Sequence, residues 1–402
     1  MLRSMFSAIS GLKAHQTKLD TVGNNIANVN TVGYKSSQTV FQDTLSQVLS
    51  NGSAATETTG GTNPAQVGLG VKVAGITTNF SQGSTQSTSR STDFMISGDG
   101  FFVTESGSGE QLYTRAGSFN FDSAGRLVTT SGAILQGWQA VDGNIDTNGA
   151  IGDLSVPYGT VMPPNPSSTG SFTGNLSSNS EVGSAKESKI VMYDSLGNAH
   201  EITATFTKTA DNTWTSALSE NGTTLATGTM SFDPVSGAVT AGDSLTFTST
   251  DPSWTGAVTV DLGDITQFGS DSAITAGSTD GYAMGTLQSF SLSADGTIVG
   301  IYSNDLKQNI GKLAIATFAN PSGLEKSGDT SYRVGNNSGN PTISAAGVGG
   351  AGTLTAGALE MSNVDLASEF TDLIIAQRGF QANSRVITTS DEILQSLVQL
   401  GK

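Results

Sequence analysis

The chain has 402 residues, a formal net charge of −16 and no cysteine, and only 13% of its residues are charged. The length predicts two or three domains, and the lack of cysteine excludes disulfide bonds and thiol chemistry. Nucleic-acid binding needs clustered Lys and Arg, and the sequence has no such cluster. With 50 glycines and 36% hydrophobic residues, the composition favours β-rich modules with many turns.

The first 30 residues predict a long amphipathic helix. Basic residues at Arg3, Lys13 and Lys18 interrupt its apolar pattern, so we do not expect a cleaved signal peptide. Nor does the sequence hold a run of about 20 apolar residues, so we expect no membrane insertion. Apolar side chains recur at spacings of three and four, which places them on one stripe: Leu2, Met5, Ile9, Leu12, Leu19 and Ile26.

Strands are predicted in the middle of the chain, from about Gly70 to Leu354. Short apolar runs alternate with polar residues there, and Asp-Gly and similar pairs mark the turns between them. Two stretches rich in Gly, Ser, Thr and Ala flank this middle, at residues 50–61 and 336–357. Such stretches are either hinges between the helical ends and the β-rich body or ordered loops.

A second long helix is predicted near the C-terminus, with Ser362 or Asn363 as its cap and Asp365 near its positive end. The two terminal helices are expected to form an antiparallel pair whose remaining apolar surface is covered by neighbouring subunits. The alternative is that both pack on the β-rich body. The second apolar stripe has the same three-and-four spacing as the first: Leu366, Phe370, Leu373, Phe380, Ile387, Leu394 and Val398.

Two long motifs lie at the two ends of the chain. GNNIANVNTVGYK at residues 23–35 and IAQRGFQAN at residues 375–383 resemble the terminal signatures of the bacterial flagellar rod and hook family. For the asparagines, the alternatives are ordinary capping and side-chain hydrogen bonding, or contacts between subunits. For Gln377 and Arg378, they are solvent exposure or a polar subunit contact. The motif residues that we single out are Asn24, Asn25, Asn28, Gly33, Gln377, Arg378 and Asn383.

Internal segments extend the resemblance to essentially the whole chain. TDFMISGDGFF at residues 92–102 is similar to the inner β domain shared by hook and distal rod proteins. VMYDSLGNAH at residues 191–200 is similar to an outer domain that only hook subunits carry. Together they favour the hook branch of the family.

The resemblance implies a mainly β fold with long N- and C-terminal helices paired as a coiled-coil-like stem, followed by two stacked β-rich domains, the outer one inserted in the inner one. The implied terminal helical domain is 1–30 plus 360–402. Connecting segments are 31–70 plus 336–359, the inner β domain is 71–148 plus 279–335, and the outer β domain is 149–278.

The function implied by the resemblance is structural. Subunits would leave the cell by type III export and self-assemble into a helical homopolymer, a short curved tube that passes torque from rod to filament as a universal joint. Implied partners are the hook cap, the distal rod and hook-filament junction proteins, the export apparatus and the length-control protein. The alternatives are a distal rod protein of the same family, or a secreted β-rich adhesin or binding module.

No catalytic, cofactor or metal site is expected. His15 and His200 are far apart in sequence and have no adjacent Cys, His or paired carboxylates. The calcium-loop-like segment at residues 144–149 begins with Asn and has Ser155 where a bidentate Glu is needed, so it predicts a polar turn. We therefore predict a protein that is not an enzyme.

Overall fold

The computed structural model describes residues 2–54, 59–156, 159, 161–249, 251–254 and 256–400, and only the backbone of Leu2, Leu397 and Leu400. It divides into two compact units. Unit 1 comprises Met1–Val156, Ser291–Val299 and Asn309–Lys402, and unit 2 comprises Pro157–Phe290 and Gly300–Gln308. Most of the regular structure is strand, and the two long helices lie at the ends of the chain. The prediction of a mainly β fold with helical termini is confirmed.

The two helices are α1, Leu2–Ala27, and α2, Leu366–Leu400. They run antiparallel, since Lys18 of α1 contacts Asp372 near the start of α2 and Gly11 faces Asn383 further along it. The predicted cap of α2 is wrong by two or three residues. Asp365 is the cap, because its carboxylate accepts a hydrogen bond from Ala367 N at 2.9 Å. In the described part of the chain, no helix combines the length and apolarity that a membrane span requires.

The strands of unit 1 begin directly after α1. The first four form two antiparallel pairs, β1 with β4 and β2 with β3, so the predicted connecting segment 31–70 contains paired strands. Within the predicted hinge at residues 50–61, positions 55–58 lie outside the described residues. The bounds are β1 Ser37–Asp43, β2 Ser46–Ser50, β3 Ala65–Gly68, β4 Val71–Thr78, β5 Thr85–Ser87, β6 Phe94–Ser97, β7 Phe101–Glu105, β8 Gln111–Thr114, β9 Phe119–Phe121, β10 Leu127–Thr129, β11 Ile134–Gln139 and β12 Gly152–Asp153.

Unit 2 is built from two five-stranded sheets around one core. The order β15-β16-β17-β18-β19 is a simple antiparallel meander, and the other sheet has β14 paired with β21, β22 and β23, with β20 at one edge. Alternate residues of β16 are buried, as a sheet with one face on a core requires. The bounds are β13 Val161–Met162, β14 Thr169–Ser177, β15 Ala185–Tyr193, β16 Ala199–Ala210, β17 Thr213–Glu220, β18 Thr223–Phe232, β19 Val239–Ala241, β20 Ser244–Thr248, β21 Ala257–Asp261, β22 Ile265–Phe268 and β23 Ala273–Thr279.

The remaining strands lead back towards α2. Residues 336–357, one of the two possible hinges, contain strands that pair with the body of unit 1: β29 with β26 and β30 with β6. This segment is therefore an ordered loop region. The bounds are β24 Gly285–Leu292, β25 Thr297–Tyr302, β26 Lys307–Thr317, β27 Glu325–Gly328, β28 Ser331–Arg333, β29 Thr342–Ala345, β30 Thr353–Ala356 and β31 Ala358–Glu360, with a 3-10 turn at Pro321–Gly323.

Each unit has its own apolar core. In unit 1, Trp138 packs with aromatic residues such as Phe101 and Tyr113. In unit 2, Trp214 and Trp254 are buried among aliphatic and aromatic side chains of both sheets. The three tryptophans are thus core residues within the chain.

Candidate polymerisation surface

Helix α1 is covered on two sides. On one side it contacts the β1–β4 ribbon, where the His15 ring meets the Phe41 ring edge-on at 5.6 Å and Thr39 donates a hydrogen bond to Thr21 at 2.9 Å. On the other side it contacts α2. Within the chain, α1 therefore does both things that the sequence left open: it pairs with α2 and also packs on strands.

Small residues bring α1 and α2 close together. A Cβ atom added to Gly11 would lie 2.8 Å from the Asn383 side-chain nitrogen, and one added to Gly379 would lie 2.5 Å from the His15 ring. Each glycine thus faces the polar side chain that lies four residues beyond the other glycine. Ala376 is fully buried one turn away. The close approach of α1 and α2 depends on glycines, which have no side chain. A pattern of apolar residues in the sequence therefore does not predict it.

Polar contacts fix the register of the helix pair. Lys18 Nζ lies 2.9 Å from Asp372 Oδ1, and Asn25 donates a hydrogen bond to Glu369 Oε1 at 2.8 Å. Burial raises the pKa of Glu369, and the hydrogen bond from Asn25 opposes this shift. The contact between α1 and α2 therefore includes polar residues that are not part of the predicted apolar seam.

The predicted seam residues divide by exposure. The side chain of Leu2 lies outside the described part of the structure. Seven are half-buried: Met5, Leu12, Leu19, Ile26, Leu373, Ile387 and Leu394. Five are exposed to solvent in the single chain: Ile9, Leu366, Phe370, Phe380 and Val398. Their assignment to a polymerisation seam stays a prediction.

The apolar surface of the helices is wider than the predicted stripes. Phe370 of α2 is 51% exposed, and Ile374, one turn further on, is 50% exposed. Clusters of exposed large apolar side chains on a soluble chain mark interaction sites. We define the apolar face as the exposed large apolar residues of the two helices, which by helix geometry occupy more than one side of α2: Phe6, Ile9, Leu366, Phe370, Ile374, Ile375, Phe380, Val386, Ile393 and Val398.

The asparagine motif lies where α1 meets the strands and the start of α2. Asn25 is buried, and its amide oxygen accepts hydrogen bonds from Tyr34 Oη at 3.1 Å and Ser37 N at 3.0 Å. Its amide nitrogen donates to Ser37 O and to Glu369, both at 2.8 Å. All four hydrogen-bonding positions of this amide are therefore used within the chain.

The other motif residues have distinct positions. Asn28 donates to Asn24 O at 2.9 Å just beyond the end of α1. Gly33 has φ +70°, and a Cβ atom there would lie 2.4 Å from Ala116 N, so only glycine fits. Gln377 and Arg378 are exposed in the single chain. A role for any of these residues between subunits stays a prediction.

A buried ion cluster joins both helix-flanking segments to the β body of unit 1. Glu360, the last residue of β31 before α2, and Lys35, shortly after α1, are both 0% exposed, and their side chains lie 2.6 Å apart. Arg115, from the segment between β8 and β9, lies 3.4 Å from the other Glu360 oxygen. Burial lowers the pKa of Lys35, and the hydrogen bond and charge of Glu360 oppose this shift.

Further hydrogen bonds surround the same carboxylate. Gly83 N donates to Glu360 Oε1 at 2.9 Å, and Lys35 also donates to Ser81 O at 2.8 Å. The Arg115 guanidinium lies 5.3 Å from the centre of the Phe101 ring. Glu360 and Lys35 are therefore hydrogen-bonded on several sides, whereas Arg115 Nε is buried without a partner among the described residues. The cluster connects the two helix-flanking segments to the body of unit 1. Sequence reasoning missed it, although Lys35 ends the N-terminal motif.

Comparison with protein families matches four stretches of the chain. Residues 5–35 match "Flagella basal body rod protein", and residues 355–400 match "Flagellar basal body rod FlgEFG protein C-terminal". Between them, residues 95–163 match "Flagellar hook protein FlgE/F/G D1 domain". Residues 171–282 match "Flagellar basal body protein FlaE D2 domain".

Individual relatives match along the whole chain. The flagellar hook protein FlgE of Borreliella burgdorferi is 40% identical, with 100% of both chains covered. The flagellar basal-body rod protein FlgG of Bacillus subtilis is 36% identical, again with 100% of both chains covered. The crystal structure of the Helicobacter pylori flagellar hook protein FlgE2 superposes with a TM-score of 0.53 at 14% identity, over 67% of this chain and 98% of that one. At that identity the superposition supports the fold alone.

Proposed function

The chain belongs to the flagellar hook protein FlgE family, and from that premise we propose that its apolar face is the surface through which copies of the chain polymerise. The chain is a structural subunit of the flagellar hook. In the proposal, the paired helices of neighbouring copies cover one another's apolar side chains. The polymer is a short curved tube that acts as a universal joint between rod and filament.

The apolar face is the observation that supports this proposal. Its members are on α2 for the most part, and α2 contacts α1 through small residues and a few polar pairs, which leaves Phe370 and Ile374 about half exposed. Clustered exposed apolar side chains mark interaction sites on soluble proteins, and a second copy of the same chain is the partner in this proposal. The net charge of −16 keeps the unassembled chain soluble.

The finer parts of the proposal concern partners, export and layout. We propose contacts with the hook cap, the distal rod, the hook-filament junction proteins and the length-control protein, and export through the flagellar type III apparatus without a cleaved signal. Residues 149–278 as an outer domain, and the other predicted domain bounds, belong to the same proposal. The proposed function contains no catalytic step, and the family is one of structural proteins.

Phe370→Glu tests the proposal. The change adds a charge at a position that is 51% exposed in the single chain, so the monomer should fold normally. In a tube the same charge would be buried without a partner, at a penalty of several kcal/mol. We expect concentrated wild-type protein to form tubes in electron micrographs, and the variant to need at least about 100-fold higher concentration.

A matched control is Val235→Glu, which makes the same kind of change at a 92% exposed residue of unit 2. It should form tubes as the wild type does. Normal tubes from Phe370→Glu would contradict the proposed surface. No tubes from the wild type at any concentration would also contradict it.

A further inference from the structure

In unit 2, the turn between β15 and β16 brings a histidine next to carboxylates. Met192 pairs with His200 and Tyr193 with Ala199, so the turn that follows places Asp194 beside the His200 ring. Asp251, from the loop after β20, reaches the same place. One ligand-type atom from each of Asp194, His200 and Asp251 lies within 4.8 Å of the others. The sequence predicted no metal site at His200, because Asp251 lies far from the other two residues along the chain.

The imidazole of His200 has one satisfied nitrogen and one orphaned nitrogen. Nδ1 lies 2.6 Å from Glu220 Oε1, and because a carboxylate only accepts, Nδ1 carries a proton. Nε2 is buried without a hydrogen-bond partner among the described residues. It lies 3.6 Å from Asp194 Oδ2, which is too far for a hydrogen bond. In the neutral ring, a lone pair therefore faces a carboxylate.

The 3.6 Å between His200 Nε2 and Asp194 Oδ2 suits two ligands of one metal ion. Two atoms that are each about 2.1 Å from a tetrahedral metal lie about 3.4 Å apart. The Glu220 carboxylate on the other ring nitrogen is the partner that metal-bound histidines usually have, because it fixes the tautomer and orients the ring. Both features point to a cation at Nε2.

The two carboxylates are held in place by the backbone. Asp194 is fully buried, and its Oδ1 accepts hydrogen bonds from Leu196 N at 3.0 Å and Asn198 N at 2.7 Å. Asp251 Oδ1 accepts from Ser253 N at 2.9 Å. The Ser253 hydroxyl lies between the two, 2.7 Å from Asp194 Oδ2 and 2.6 Å from Asp251 Oδ1. Asn198 Nδ2 also donates to Asp194 Oδ2 at 2.9 Å, so an ion bound at this oxygen displaces one of its two hydrogen bonds.

We propose that Asp194, His200 and Asp251 form a binding site for a divalent first-row transition metal ion such as Zn²⁺, with His200 bound through Nε2. Imidazole with carboxylate oxygens suits zinc better than calcium or magnesium. Water completes the coordination. The ion ties the β15–β16 turn to the loop that carries Asp251, so its role is structural.

Protons compete with the metal at Nε2. Burial disfavours the charged ring, but the hydrogen bonds and charges of Glu220 and Asp194 outweigh it and raise the pKa of His200. The groups that face the ring are thus three carboxylates, Asp194, Glu220 and Asp251, together with the Trp254 ring at 4.9 Å.

The test is calorimetric titration of the metal-free full chain with ZnCl₂. We expect one ion per chain, at least about 100-fold weaker binding in both His200→Gln and Asp251→Asn, and 10- to 100-fold weaker binding in Glu220→Gln. The control is His15→Gln, which removes the other histidine and should bind as the wild type does. No stoichiometric binding by the wild type, or unchanged binding in His200→Gln, would overturn the proposal.

A measurement in which all three proposed ligands are intact guards against a misfolded variant. The chain has only two histidines, so imidazole ¹⁵N spectra of wild type and His15→Gln assign both rings. Zinc should shift the Nε2 resonance of His200 and leave His15 unchanged. Co²⁺ should also quench Trp254 fluorescence, since that ring adjoins His200. Equal shifts of both rings, or no shift of either, would count against the site.

Discussion

Replacing Glu360 with glutamine is expected to lower the free energy of unfolding of unit 1 by about 3–5 kcal/mol. The substitution keeps the shape of the side chain but leaves the buried Lys35 and Arg115 without their shared carboxylate. Removing one partner of a buried pair leaves an uncompensated charge. This lowers the free energy of unfolding much more than the loss of an exposed pair does. Pulsed hydrogen exchange at increasing urea, with mass spectrometry of peptides from residues 94–139, measures the change in unit 1.

The pH dependence gives a second readout of the same variant. Burial already lowers the pKa of Lys35 from 10.5. The Glu360→Gln change removes the carboxylate charge that opposes this shift, so the pKa of Lys35 should fall further. Between the folded and unfolded pKa of Lys35, the unfolded chain binds more protons, so stability rises with pH. The loss in Glu360→Gln should therefore shrink as the pH rises towards 10.5.

An exposed ion pair in the same unit supplies the control. Glu325 lies 2.8 Å from Arg333, and both side chains are about half exposed. Glu325→Gln should change stability by 0–1 kcal/mol. A loss of under 1 kcal/mol in Glu360→Gln, or equal losses in the two variants, would show that the buried cluster does not anchor the helices.

Gly379→Leu is expected to raise the concentration needed for tube formation about 10- to 100-fold. A Cβ atom at this position would lie 2.5 Å from the His15 ring, and that ring is held edge-on against Phe41. The helices must move apart or the ring must leave its place, and overpacking of this kind costs about 1–3 kcal/mol. Sedimentation of tubes over a concentration series measures the effect.

Gly23→Leu is the matched control on the partner helix. A Cβ atom at Gly23 would meet no heavy atom within 4 Å. Leucine is also the better helix former, by somewhat under 1 kcal/mol. This variant should assemble at the wild-type concentration or below it. If both leucine variants assemble equally well, the close approach of the helices is not required for assembly.

The parts of the fold with a repeating pattern were predictable from the sequence. The three-and-four spacing located both helices, and alternation of apolar and polar residues located strands such as β16. The seam residues were predicted from the same spacing. The apolar face, however, includes exposed residues that lie outside these stripes. Ile374 and Ile375 are both about half exposed and lie outside the stripe, Ile375 on the opposite side of α2.

What the sequence could not provide are contacts between residues that are distant along the chain and carry no local pattern. Lys35 and Glu360 are 325 positions apart, and Arg115 and Glu360 are 245 apart. A single charged residue in a polar stretch normally indicates a solvated surface. Likewise, nothing near Gly11 in the sequence points to Asn383. The cap of α2 was misplaced because three polar residues, Ser362, Asn363 and Asp365, precede the helix and each is a good capping residue.

Amide hydrogen exchange of α2, Leu366–Leu400, tests the central claim most directly, because only neighbouring copies can cover its apolar face. The full chain is compared in dilute solution and in assembled tubes, with the buried strands β16 and β17 as the internal reference. We predict that exchange in α2 slows at least about 100-fold on assembly, while the reference strands do not change. If α2 is already as protected in the dilute chain as β16 and β17, or stays unprotected in tubes, the account is contradicted.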